Sequence, residues 1–170
     1  STGSPETAID LWVLPLVREG TGGDRKPISF LQTGFDEIRP AMSPDGKWIA
    51  YFSNESDAPQ VYVRPFPGPG GKYQVSTTPG SRPRWRRDGK ELYYLGNDNR
   101  LMVAEVSSKG ETFIVGVVRP LFETRPLLGP TNVFDVTADG KRFLVNTIIG
   151  ETMSSPITLV VNWQEELKKN

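Results

Sequence analysis

The 170-residue chain carries 20 basic and 20 acidic residues, and a formal net charge of zero argues against nucleic acid as a general partner. It holds no cysteine and no histidine, which excludes disulfides, thiol nucleophiles, thiolate metal sites, Ser-His-Asp triads and imidazole zinc sites. No apolar run approaches the roughly 20 residues a membrane helix needs, so membrane insertion of this segment is not expected.

Residues 1–8 are polar and read as a linker, without the apolar centre of a signal peptide; any targeting segment would lie upstream. The folded segment is then 9–163. Asp10 to Leu16 reads as a strand, with Lys26 to Leu31 as its hairpin partner. A set of four strands follows: Arg39 to Met42, Trp48 to Phe52, Gln60 to Arg64 and Lys72 to Ser76. Gly68-Pro69-Gly70-Gly71 resembles a phosphate loop only in glycine content. It leads into a strand and reads as a hairpin connection. The second set runs Arg82 to Trp85, Glu91 to Leu95, Leu101 to Val106, and a last strand within Phe113 to Phe122. The third set comprises Asn132 to Val136, Arg142 to Thr147 and Ile157 to Trp163, and residues 164–170 form a tail too short for a stable free helix. Glycine and proline, 17 and 15 residues, punctuate these strands, as in an all-β protein.

Each set carries the same turn. Asp45-Gly46, Asp88-Gly89 and Asp139-Gly140 lie 43 and 51 residues apart, each between a short β-type run and an apolar one. In Ser43-Pro44-Asp45-Gly46, proline presets the first corner of a type I turn. Asp45 suits the second corner, and Gly46 can take the left-handed position of a bulged hairpin. The apolar runs after the turns, Trp48 to Phe52, Leu92 to Leu95 and Phe143 to Val145, suit strands buried on both faces. Strand-rich repeats of this length predict an all-β β-propeller of four-stranded antiparallel blades. The tally is half a blade, two whole blades and one lacking its outermost strand, about three to four blades in the chain.

The stretch Ser-Pro-Asp-Gly-Lys-Trp-Ile-Ala-Tyr from Ser43 to Tyr51 resembles the Pro-Asp-Gly blades of TolB-type, WD-repeat-like six-bladed propellers. Asp10 to Leu16, Val61 to Pro67 and Pro156 to Trp163 are similar to the C-terminal part of bacterial proteins in which such a propeller follows a membrane-anchored serine/threonine kinase or another sensor. The resemblance implies a protein-interaction or ligand-sensing module outside the cytoplasmic membrane. It carries over no kinase activity. The second and third turns lack the proline.

Arg82, Arg84, Arg86 and Arg87 form the densest basic cluster, interleaved with Trp85. In a strand, Arg82, Arg84 and Arg86 would share one face while Trp85 points to the other, and guanidinium groups lining a propeller channel or its mouth could bind an acidic partner or carboxylate. The alternative is a solvated strand end with ordinary salt bridges. Asp45, Asp88 and Asp139 read as turn residues, since equivalent turns in separate blades hold them apart and no D-x-D-x-D loop surrounds them. Asp98 likewise reads as part of a hairpin turn. Trp12, Trp48, Trp85 and Trp163 could form stacking platforms, although packing between blades is the default for tryptophans in strand interiors. Glu37, Glu55 and Asp57 could pair as acid and base, but nothing in their spacing enforces a carboxylate separation.

No G-x-S-x-G elbow, Walker A loop or dinucleotide fingerprint occurs. The expectation is a non-catalytic binding module with a protein or peptide partner, no cofactor and no metal. A two-fold dimer completing a six-bladed ring would cover open sheet edges. The alternatives are an accessory propeller of a prolyl-oligopeptidase-type peptidase and a purely structural oligomerisation element.

Overall fold

The computed structural model describes residues 9–15, 26–126 and 133–147. The expected linker, the third strand of the last set with Trp163, and the tail lie outside the described residues. So does the strand on which completion of the last blade by a second chain depends.

Two hairpin-connected sheets of four antiparallel strands form the centre of the molecule. In the first, β3 (Glu37–Met42), β4 (Trp48–Ser53), β5 (Gln60–Pro65) and β6 (Tyr73–Gln74) pair in chain order. In the second, β7 (Gly80–Trp85), β8 (Glu91–Gly96), β9 (Arg100–Lys109) and β10 (Thr112–Glu123) do the same. A two-stranded sheet precedes them, β1 (Leu11–Val13) with β2 (Ile28–Leu31), and another follows, β11 (Phe134–Val136) with β12 (Phe143–Val145). These are four-stranded blades flanked by partial ones, in the order the sequence predicts. The strand bounds differ from expectation, most plainly in the outer strands of the two blades. The last strand of the first blade closes to Tyr73–Gln74, and Ser76 continues it by side chain, its Oγ accepting from Val61 N at 2.9 Å. β10 extends to Glu123 because it absorbs two bulges, one at Pro120, which has no N–H for the ladder.

The sheets stack face to face through strict alternation. On β4, Trp48 and Ala50 point into a core shared with the second blade, while Ile49 and Tyr51 point into a core under β1 and β2. On β8, Leu92 and Tyr94 enter the first of these cores, and Tyr93 and Leu95 enter a third with Val133 and Phe134. The uninterrupted apolar runs of β4 and β8 are therefore buried on both sides. β12 departs from that expectation. Phe143 and Val145 pack onto the second blade, but Leu144 is 77% exposed, since no described residue covers the outer face. Trp12 departs in the same way, 54% exposed on the far side of β1 from Leu11.

The three Asp-Gly turns are one device used three times. Gly46, Gly89 and Gly140 have φ of 71°, 72° and 71°. Each donates its N–H back three residues, to Ser43, Arg86 and Thr137 carbonyls at 2.9, 2.9 and 2.8 Å. Aspartate does more than tolerate its corner. Oδ1 of Asp45, Asp88 and Asp139 accepts the backbone N–H two residues on, at 3.1, 3.0 and 3.0 Å. In the first and third turns a hydroxyl completes the ring: Ser43 Oγ and Thr137 Oγ1 donate to that same Oδ1 at 2.6 and 2.5 Å. They also accept the N–H of Trp48 and Arg142 at 2.9 and 3.1 Å. These hydrogen bonds hold the carboxyls of Asp45 and Asp139 below their usual range.

Candidate binding site

The basic cluster sits on β7, and the structure gives it a counterpart on β3. Arg39 precedes Pro40 as Arg82 precedes Pro83, each six residues before its turn aspartate. Proline offers no N–H to the ladder, and in both strands the pairing slips there, between Ile38 and Ala41 and between Ser81 and Arg84. Arg39 and Arg82 take up the slip with φ of 58° and 57°, the left-handed region that ordinarily favours glycine. Left-handed non-glycine residues cluster where surrounding structure over-determines them, including at functional sites.

The extra residue in β7 overturns the expectation that Arg82, Arg84 and Arg86 share one face. Ser81 stands opposite Leu95 and Arg84 opposite Tyr93, so three residues of β7 span what two span on β8. Arg82 is thus out of phase with Arg84. It lies near enough to Arg39 that, after burial, the neighbouring guanidinium is what lowers its pKa. Arg84 shares the face of Tyr93, toward the third blade, and its Nη1 donates to Pro83 O at 2.9 Å. Trp85 faces the opposite way, as alternation predicts. Its Nε1 donates to Ala41 O at 2.9 Å, tying the inner strands of the two blades together.

Arg86 is committed to the fold. Nη2 pairs with Asp88 at 3.1 Å and Nη1 with Glu91 at 3.2 Å, and the contact with Glu91 raises its pKa. Its aliphatic stem lies against the third turn, 3.1 Å from where a Cβ on Gly140 would stand. The structure therefore separates the cluster into Arg82 beside Arg39, with Arg84 and Arg86 turned to the third blade. Arg39 was legible in the sequence through the repeated Arg-Pro at a fixed distance from the turn.

The remaining candidates have local roles. Asp45, Asp88 and Asp139 lie in their separate turns. Asp98 Oδ1 accepts Arg100 N at 3.1 Å, next to Asn99 with φ of 62°, forming the expected hairpin turn. The Gly68–Gly71 segment connects β5 to β6. Glu55 pairs with Lys72 at 2.5 Å. Glu37 is buried at 1% exposure with Oε1 accepting from Thr33 Oγ1 at 2.5 Å, while Oε2 has no hydrogen-bond partner among the described residues. Burial raises its pKa, and the charges of Asp10, Glu55 and Asp36 add to the rise against the opposing Thr33 hydrogen bond. Among the described residues no three acidic side chains converge as a metal site would require.

Comparison with known proteins adds a distant likeness to solved structures. No protein-family model matches the chain, and no curated protein matches it. Among solved structures, the crystal structure of TolB from Acinetobacter baumannii is matched at 16% identity with a TM-score of 0.25. The match covers 64% of this chain and 50% of the TolB chain. A likeness of that degree assigns no activity or partner.

Proposed function

We propose that this chain is a non-catalytic binding module whose inner-strand arginines engage an acidic protein or peptide partner. The observation that supports the reading is the pairing of Arg39 with Arg82. Two half-buried arginines are held beside each other by matching left-handed bulges on the first strands of neighbouring blades. Like charges so placed repel, and a carboxylate-bearing partner offsets that repulsion and can accept bidentately from a planar guanidinium. Arg84 faces the third blade and adds positive charge only at longer range. Arg86 is turned the same way, with its fork engaged by Asp88 and Glu91.

Isothermal titration of the full chain with deca-glutamate tests the reading. Replacing Arg39 and Arg82 together with Ala is expected to weaken binding by about tenfold or more while the melting temperature changes little. Arg84→Ala is expected to produce a smaller loss. Affinity for deca-glutamate unchanged in both variants would place the partner elsewhere and defeat the proposal.

A further inference from the structure

On the opposite flank of β7 a crevice lies between the first two Asp-Gly turns. A cavity of about 450 Å³ opens there. Its floor is aromatic: Trp48, Trp85 and Phe113 stack around one another with ring centroids 5.0 Å apart for Trp48–Phe113 and 6.0 Å for Trp85–Phe113. A volume of this size suits one apolar side chain with its adjoining backbone.

The charges at its mouth are unequally committed. Asp45 is engaged by Ser43 and Lys47, and Asp88 by Lys90 N and the guanidinium of Arg86. Arg87 and Lys90 also line the cavity. Neither side chain is in an ion pair with any described residue. The mouth thus presents two cations outside any ion pair with a described residue, beside Asp88, which Arg86 offsets, and Asp45, which keeps its charge.

The third feature is backbone. β8 ends its pairing with β9 at Glu91 opposite Glu105, and Val106 N makes one further bond to Lys90 O at 2.9 Å. β9 continues to Lys109, paired only with β10, Ser107 with Ile114 and Ser108 with Phe113. In an antiparallel ladder a residue's N–H and C=O point to one side and alternate along the strand. Those of Ser108 therefore point the same way as those of Val106, to the side β8 has vacated, where Ser108 lines the cavity. An extended peptide can add itself to such an edge by main-chain hydrogen bonds, which a small molecule cannot reproduce along its length.

We propose that this crevice binds an extended acidic peptide segment of a partner protein, with one aromatic or aliphatic side chain seated on Trp48, Trp85 and Phe113. Carboxylates flanking that anchor meet Arg87 and Lys90, and the peptide backbone pairs with Ser108. The site is separate from the Arg39–Arg82 region, and its existence does not depend on that region binding anything.

Fluorescence anisotropy on the full chain tests the proposal with three fluorescein-labelled probes: Glu-Asp-Phe-Glu-Glu, Glu-Asp-Ala-Glu-Glu and Lys-Lys-Phe-Lys-Lys. The acidic phenylalanine peptide is expected to bind, its alanine version about tenfold more weakly, and the lysine peptide not measurably. Arg87→Glu combined with Lys90→Glu is expected to weaken the first probe about tenfold or more. Ser108→Pro, which removes an N–H the β10 ladder does not use, is expected to weaken it with the circular dichroism spectrum retained. If that variant fails to fold, the charge-reversal variant and the alanine probe decide. Arg39→Ala with Arg82→Ala should leave this affinity within about twofold, because the two sites are separate. Equal binding of the lysine probe, no saturable binding of the acidic one, or binding unaffected by charge reversal at Arg87 and Lys90 overturns the proposal. Loss on replacing Arg39 and Arg82 instead would assign the peptide to the inner-strand arginines and overturn it equally.

Discussion

Three glycines with one backbone conformation and three different surroundings make a quantitative test of how the blades are joined. Gly46, Gly89 and Gly140 share φ of 71°, 72° and 71°. An alanine in that region costs about 1–2 kcal/mol, offset in part by about 0.4–1 kcal/mol from a less flexible unfolded chain. At Gly46 a new Cβ would meet nothing within 4 Å, and at Gly89 only Pro44 Cδ at 3.8 Å, so each substitution should cost about 1 kcal/mol. At Gly140 the same Cβ would stand 2.6 Å from Tyr93 Oη and 3.1 Å from Arg86 Cδ. Neither can swing aside freely. Tyr93 is 2% exposed and donates to Glu91, and Arg86 is held by Asp88 and Glu91. Overpacking of this kind adds about 1–3 kcal/mol, giving a total of about 2–4 kcal/mol for Gly140→Ala. Urea unfolding at matched slope reads the three variants directly. Tyr93→Phe removes the obstructing oxygen, so Gly140→Ala should be less costly in that background, a coupling of about 1 kcal/mol. Equal costs at all three glycines, or no coupling to Tyr93, would show that the third turn does not rest on the second blade as described.

Three further outcomes follow from the same geometry. Glu37→Gln should stabilise the protein at neutral pH by about 1 kcal/mol, because it removes a buried charge set near Asp10, Glu55 and Asp36 while keeping an oxygen for the Thr33 hydroxyl. The folded pKa of Glu37 is raised above its ordinary 4.5, so the wild-type penalty is present when the group is ionised and the gain should fade as pH falls through and below that value; a gain independent of pH would refute the cause. Asp45 and Asp139 have the opposite sign. Their depressed folded pKa values contribute stability above the ordinary 3.8 that is lost as pH falls through the folded values. Ser43→Ala with Thr137→Ala should therefore lower stability near neutrality and flatten the acid limb of the stability curve, and an unchanged limb would refute it. Finally, the full chain should show no hydrolase, kinase or transferase turnover on substrate panels, and turnover abolished by a point substitution in this chain would refute the non-catalytic reading.

Much of this architecture is written locally. A type I turn closed by a left-handed glycine is a property of four residues, so Asp45-Gly46, Asp88-Gly89 and Asp139-Gly140 announced three hairpins and their phase. The apolar runs of β4 and β8 announced strands buried on both sides, because only a strand between two sheets can hide every side chain. The hydroxyls of Ser43 and Thr137 were visible at the right distance from the aspartate, but their closure of the turn depends on the conformation once formed. What required tertiary structure is whatever depends on neighbours beyond the hairpin. Leu144 and Trp12 sit in runs as apolar as β4, and their exposure follows from what packs on each face of the sheet. Strand alternation placed Arg82, Arg84 and Arg86 together only while the strand was taken as regular. A proline without an N–H slips the ladder, and the one-residue slip sends Arg82 toward Arg39 and leaves Arg84 with the third blade. The crevice over Trp48, Trp85 and Phe113 has no signature in sequence at all. Its walls come from two blades, and its open backbone edge exists because β9 outruns the strand beside it.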